Sequence, residues 1–288
     1  MKIKNIFKVA FLSAALILPV NIFAKGEDEI ITLGRDLTLN QRDEILQEMN
    51  ATEDAKIIEV TNEEEYQYLG DVLTSKEIGN KAISSAIVRY TKEGSGINIE
   101  ISPNIVVVSE SSYRNAMTTA GVKDADVYVT APGKVSGTAA LTGILKSYEE
   151  TSGKKIPEDV KKVANEELVL QTKLSEDIGE EKTNDVINIV KSEMAAKMPQ
   201  SKEEVRQIVD TVNTNYNLGL SDSAKDGLTT LFNNMKNADI DWKLVANKVG
   251  EYSKKANEFL NSPEGEKAVK DTKNFIEKII DFLVSLFK

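Results

Sequence analysis

An α/β (or α+β) N-terminal domain followed by an all-α helical domain is what this sequence predicts, and three observations predict it. Over residues 25–150, short β-branched runs alternate with segments of helical period. Beyond residue 156 the apolar residues recur at three and four, with no convincing strand. Between the halves lies Thr151-Ser152-Gly153-Lys154-Lys155-Ile156, small and polar, followed by Pro157, which suits the first turn of a helix. The expected organisation is a signal peptide over 1–24, an α/β domain over 25–150 and a linker over 151–156. A helical domain over 157–288 then ends in an amphipathic helix, and the two halves are expected to be separate folding units.

The elements follow in order. Glu29 to Leu33 reads as a strand closed by Gly34, and Thr38 with Gln41 forms a capping box ahead of Leu39, Ile45, Leu46 and Met49. Lys56 to Val60 is a second strand, and Thr61-Asn62-Glu63-Glu64 caps a short helix ending near Gly70. Ala82 to Lys92, the Gly94-Ser95-Gly96 turn and Ile97 to Ile101 read as a β-hairpin. Ile105 to Val108 is expected as a strand, Ser109 caps a helix that stops at Gly121, Asp126 to Thr130 is a strand and Thr138 to Glu150 a helix. Such alternation favours parallel pairs joined by right-handed crossovers. In the second half Val160, Val163, Ala164 and Leu168 open a helical array, continued by Val205, Ile208, Val209 and Val212 and by Leu228, Leu231, Phe232 and Met235.

Composition narrows the chemistry. The 288 residues contain no histidine and no cysteine, which excludes Ser-His-Asp and Cys-His nucleophile systems, thiol redox chemistry and thiolate or imidazole zinc sites. Any catalysis would run on carboxylates, Lys, Tyr, Ser or Thr. Lys2, Lys4 and Lys8, the apolar stretch Val9 to Leu18 and the tail ending at Ala24 read as a secretory signal peptide cleaved after Ala24. The apolar run falls short of the ~20 residues an uncleaved anchor needs. Cleavage takes three lysines and no acid, lowering the net charge from −10 to −13. An acidic chain is poorly suited to nucleic acid, which recruits clustered Lys and Arg.

Several blocks carry a family likeness. Ile31-Thr32-Leu33-Gly34 with Asp36-Leu37-Thr38, Glu59-Val60-Thr61-Asn62, Thr119 to Ala125, Val127 to Pro132, Val135 to Gly143 and Met235 to Trp242 resemble the YpuA-like secreted proteins of low-GC Gram-positive bacteria. The resemblance spans nearly the whole mature chain. It implies an exported protein, extracellular or in the cell envelope, and it brings no catalytic or binding residues, because the family is one of unknown function.

The most suggestive motif runs from Ala131 to Gly143. A strand, Pro-Gly and then Ser-Gly-Thr entering a helix bring free backbone N–H groups and a helix dipole to one point, as anion sites do. Gly133, Ser136, Gly137 and Thr138 are the candidate ligand-binding residues. The plainer reading is a β-to-α turn capped by Thr138 or Ser136. Ser152 and Lys155 have the Ser-x-x-Lys spacing but sit in the expected linker. Asn237, Asp239 and Asp241 imitate the start of a calcium loop, which then fails at Trp242 and Lys248, so a helix cap explains them. Glu63-Glu64-Glu65 reads as a solvated, dipole-facing run. No metal site and no cofactor are implied.

At the C-terminus Phe275, Ile279, Phe282, Leu283, Leu286 and Phe287 leave most of a helix surface apolar. Burial in the bundle or self-association ranks ahead of contact with a membrane surface. Two function classes stand: a non-catalytic binding or scaffold module with an unidentified envelope partner, and a His- and Cys-free extracellular hydrolase built on carboxylates or Ser-Lys. The first is favoured.

Overall fold

The computed structural model describes residues 29–53 and 55–250. The expected signal peptide and the apolar C-terminal helix lie outside the described residues. The chain builds β1 (Glu29–Gly34), α1 (Leu39–Glu48), β2 (Lys56–Val60), α2 (Asn62–Leu69) and α3 (Ser75–Ile78). It continues with β3 (Ser85–Tyr90), β4 (Ile97–Ile101), α4 (Glu110–Thr119), β5 (Ala125–Thr130) and α5 (Thr138–Ser152). After α5 come α6 (Glu158–Ile178), α7 (Glu180–Lys197), α8 (Lys202–Asn215) and α9 (Asp222–Asn237). A sheet-bearing α/β part followed by helices is thus what the chain forms. Among the described residues no helix is long and apolar enough to cross a membrane.

The five strands form one mixed sheet in the order β2-β1-β3-β5-β4. The units β1-α1-β2 and β4-α4-β5 each pair their strands in parallel, and β3 runs antiparallel to β1 on one side and to β5 on the other. The hairpin expected over residues 82–101 is therefore corrected. Both strands exist, but β5 stands between them. Asp124 holds the slot open: its carbonyl accepts the Thr91 N–H at 3.3 Å and its carboxylate accepts the Gly96 N–H at 2.7 Å. The Ile105–Val108 strand is also corrected, to a single parallel bridge between Ile105 and Val135.

Strand alternation sorts the two faces. Ala86, Val88, Val127, Val129, Ile97 and Ile99 face α4 and α5 in a large buried cluster. Ile31, Leu33 and Ile87 face the other way, under Ile45 of α1 and Met49, which caps that helix. The helices of the two parallel units thus lie on opposite faces, although each unit steps the same way along the sheet. The crossovers have opposite hands, and one departs from the right-handed rule. Helix α5 lies close against the strands at Gly143, where a Cβ would stand 2.5 Å from Thr32 Oγ1.

Helix α6 joins the two regions. Val160, Ala164 and Leu168, four residues apart, enter the sheet-side cluster, while Val163 and Leu174 enter the cluster formed with α7, α8 and α9. Each fully buried side chain of this kind contributes roughly 1.5–3 kcal/mol. The segment between α5 and α6 is tied at both ends rather than free. Ile156 is buried and its N–H donates to Glu149 Oε1 at 2.8 Å, and Lys161 Nζ lies 3.1 Å from the same oxygen.

A polar network fixes α4, α6 and α7 together. Lys191 Nζ sits 2.6 Å from Glu167 Oε1, with the two side chains 1% and 0% exposed. Lys191 also donates to the Asn115 carbonyl, Thr119 donates to Glu167 Oε2, and the Asn115 amide donates to Gln171.

Asp185 on α7 is different, since its Oδ2 is buried without a hydrogen-bond partner. Burial, reinforced by Glu181, pushes its carboxyl up to about 7. The folded state therefore binds this proton more tightly than the unfolded chain, whose carboxyl titrates near ~3.9. The resulting stabilisation is full below about pH 4 and is lost as pH rises through about 7. Asp185→Asn should be more stable than the parent at pH 8, by on the order of 2–4 kcal/mol, and nearly equal at pH 4. Urea melts at the two pH values check this, and an unchanged difference between them would refute it.

Candidate functional site

The loop from β5 to α5 is shaped by its neighbours. Val106 N–H donates to the Val135 carbonyl, Val135 N–H to that of Asn104 and Val108 N–H to that of Ser136. Asn104 Nδ2 also donates to the Ala131 carbonyl at 2.7 Å. These bonds lay residues 104–108 along 135–136 and aim the chain into α5. Gly137 is the N-cap, with φ 97°, and no side chain of its own segment caps the helix. The expected cap by Ser136 or Thr138 is thus corrected. The Ser136 and Thr138 hydroxyls lie 3.1 Å apart, and Thr138 donates instead to Glu65 Oε1 at 2.7 Å. Tyr113, fully buried on α4, donates its hydroxyl to the Gly137 carbonyl at 2.6 Å.

Glu65 is only 2% exposed, so the solvated run expected over Glu63-Glu64-Glu65 breaks at its third member. Each carboxylate has its own task. Glu64 closes the capping box with Thr61 and meets Lys146 Nζ at 2.7 Å, and the exposed Glu63 stands in the first turn of α2. Glu65 shares the inward face with Leu69, one turn on, which packs against Ile78 and Val169. Burial raises its pKa, and the Thr138 and Asn62 hydrogen bonds offset part of that rise.

Facing Glu65 and the start of α5 is the chain that leaves α3. It turns at Gly79, φ 83°, and runs through Asn80, Lys81 and Ile83 to Ser84. Asp36 pins it, with its carboxylate accepting the Ala82 N–H at 2.8 Å, and the Tyr66 hydroxyl donates to the Gly79 carbonyl at 3.0 Å. Between these walls is a cleft of about 340 Å³. Glu65, Asn80, Lys81, Ser84 and Ser136 supply polar lining, and Ile78, Ile83, Val135 and Ala139 supply apolar lining.

Of the four residues singled out in the sequence, Ser136 and Gly137 line this cleft and Thr138 bonds to its buried carboxylate. Gly133 is not among the lining residues. Sequence reasoning missed Glu65 and the whole 78–84 wall. The four-residue spacing of Glu65 and Leu69 was a usable signal for the first, whereas Asn80, Lys81 and Ser84 carried none.

The remaining motifs resolve without chemistry. Ser152 donates to the Tyr148 carbonyl at 2.7 Å, while the exposed Lys155 lies 3.7 Å from Glu149, so no Ser-Lys pair forms. Asp241 accepts the Leu244 N–H at 2.9 Å as a helix cap, and Trp242 packs against the helical core.

The fold and cleft together define a mixed-sheet α/β protein with a helical cover, carrying a polar cleft at the head of a helix that packs on the sheet. The chain belongs to the family described as "Protein of unknown function (DUF1002)", whose profile matches residues 33–252. It is similar to the "Uncharacterized protein YpuA" of Bacillus subtilis (strain 168), with 46% identity over 261 residues, covering 90% of this chain and 87% of that one. No solved structure matches the chain.

Proposed function

We propose that this protein is an exported, non-catalytic binding module of the cell envelope, with the cleft between residues 78–84 and the start of α5 as its ligand site. The cleft carries the reading: about 340 Å³ of space lined by a buried carboxylate, hydroxyls, an ammonium and aliphatic side chains. Small-molecule sites combine concavity with a few convergent polar groups in this way. In this reading the helices from α6 onward hold the cleft walls in place, and the export signal ahead of Lys25 delivers the chain outside the cell. The apolar C-terminal segment around Phe275 to Phe287 serves packing or self-association.

The test is a thermal-shift screen of wall fragments and small polar metabolites. Ser136→Phe, which fills the cleft from its rim, is expected to abolish any stabilising hit while leaving the melting temperature without ligand within about 2 °C. Hits that survive Ser136→Phe would place binding elsewhere and defeat the proposal.

One observation favours a second reading, a hydrolase. Two carboxylates of the same cleft have opposite environments: burial raises the pKa of Glu65, while hydrogen bonds from the Thr74 hydroxyl and backbone lower that of Glu77. Divergent pairs of this kind divide acid and base roles in enzymes. Turnover of wall glycan or peptide that is lost in both Glu65→Gln and Glu77→Gln would favour this reading over the first.

A further inference from the structure

Resting on the binding reading of the cleft, we infer that its occupant is a small primary amine whose ammonium group docks on Glu65. A carboxylate offers about four lone-pair positions. Glu65 has one close donor, Thr138 at 2.7 Å on Oε1, and one distant donor, the Asn62 amide at 3.4 Å on Oε2. It is buried and yet lines the cleft, so its spare acceptor capacity belongs to whatever enters.

The charges around it call for a cation. The positive end of α5 would normally recruit an anion, but Glu65 already occupies that end through Thr138. The lining contains two carboxylates, Glu65 and Glu77, against one ammonium, Lys81. Asp36, behind the 78–84 wall, adds negative potential at Glu65. Lys146 is engaged by the Glu59 carbonyl and Glu64, and Lys173, 3.8 Å from Glu77, offsets that carboxylate, so Glu65 is the lining carboxylate that has no ion pair among the described residues. Ile78, Ile83, Val135 and Ala139 give a methylene stem an apolar wall. The volume fits a molecule of amino-acid or diamine size.

Docking an ammonium favours the ionised form of Glu65, which burial opposes in the empty cleft. Affinity therefore falls where the pH is low enough to protonate this carboxyl.

The experiment titrates the full chain with 1,5-diaminopentane, with its N,N′-diacetyl derivative and with glutarate, by calorimetry at pH 6 and pH 8. Amide NMR shifts at Ser136 and Ala139 report occupancy of the cleft. The diamine is expected to bind no more weakly at pH 8 than at pH 6, and at least tenfold tighter than its neutral derivative. Glu65→Gln should weaken it at least tenfold. Lys81→Glu, at an exposed position that a folded chain tolerates, should tighten it. Binding of glutarate, or equal binding of the acetylated compound, overturns the amine assignment and leaves the cleft as a ligand site. Absence of binding by all three overturns the inference, while the Ser136→Phe screen separately decides whether the cleft binds anything.

Discussion

Replacing Lys191 by methionine is expected to cost about 3–5 kcal/mol of folding stability, the usual penalty for stranding one member of a buried ion pair. The ammonium lies 2.6 Å from Glu167 and 3.0 Å from the Asn115 carbonyl, and both side chains are buried. Burial lowers the Lys191 pKa, opposed by its attraction to Glu167. Removing the lysine leaves Glu167 charged in a dry junction of three helices, or forces it to take up a proton. Glu167→Gln in the same chain should recover more than half of the loss. The amide oxygen still accepts from Thr119, and no charge is left without a partner. Chemical denaturation of the single and double variants checks both figures. A loss under about 1 kcal/mol in Lys191→Met would show that the site is wetter than its burial implies.

Gly137→Ala should cost about 2–4 kcal/mol, combining backbone strain with overpacking. At φ 97° an L-residue is strained, and the new Cβ would stand 2.5 Å from the Tyr113 hydroxyl and 2.7 Å from Ile105 Cγ2. Both neighbours are buried, so neither can yield by turning to solvent. Tyr113→Phe in the same chain relieves the oxygen clash and leaves the strain, so recovery should be partial. Gly153→Ala is the control: φ is 65° and the space beside it is open, so the cost should be only about 1 kcal/mol. Equal costs at the two glycines would mean that the loop at α5 relaxes freely, and the cleft wall with it.

Local signals were legible in the sequence and pairings were not. The strand Lys56–Val60, the capping boxes at Thr38 and Thr61 and the cap at Ser109 all involve residues within a few positions of one another. The Gly94-Ser95-Gly96 turn was also real, with both glycines at positive φ. What it joins depends on Asp124, some thirty residues away, and no local pattern reports that. The contacts of the stretch between the halves are equally non-local, since a small polar run gives no sign that Glu149 holds Ile156 and Lys161. At the site, glycine and hydroxyl residues at a strand-to-helix turn pointed to the correct corner of the molecule. The carboxylate in that corner came from a run of three glutamates whose members differ only by their angle on α2.

The position of β3 between β1 and β5 has a consequence during synthesis. Residues 29–90 can assemble β2, β1 and β3 as a half-sheet, but the outer side of β3 has no partner until residues 125–130 emerge. At about 5–20 residues per second the interval lasts roughly 2–7 s. Over that time the nascent chain presents unpaired backbone flanked by Ala86, Ile87 and Val88, the kind of open strand on which aggregates template. Shielding this strand is thus the step at which a holdase has most to offer the growing polypeptide.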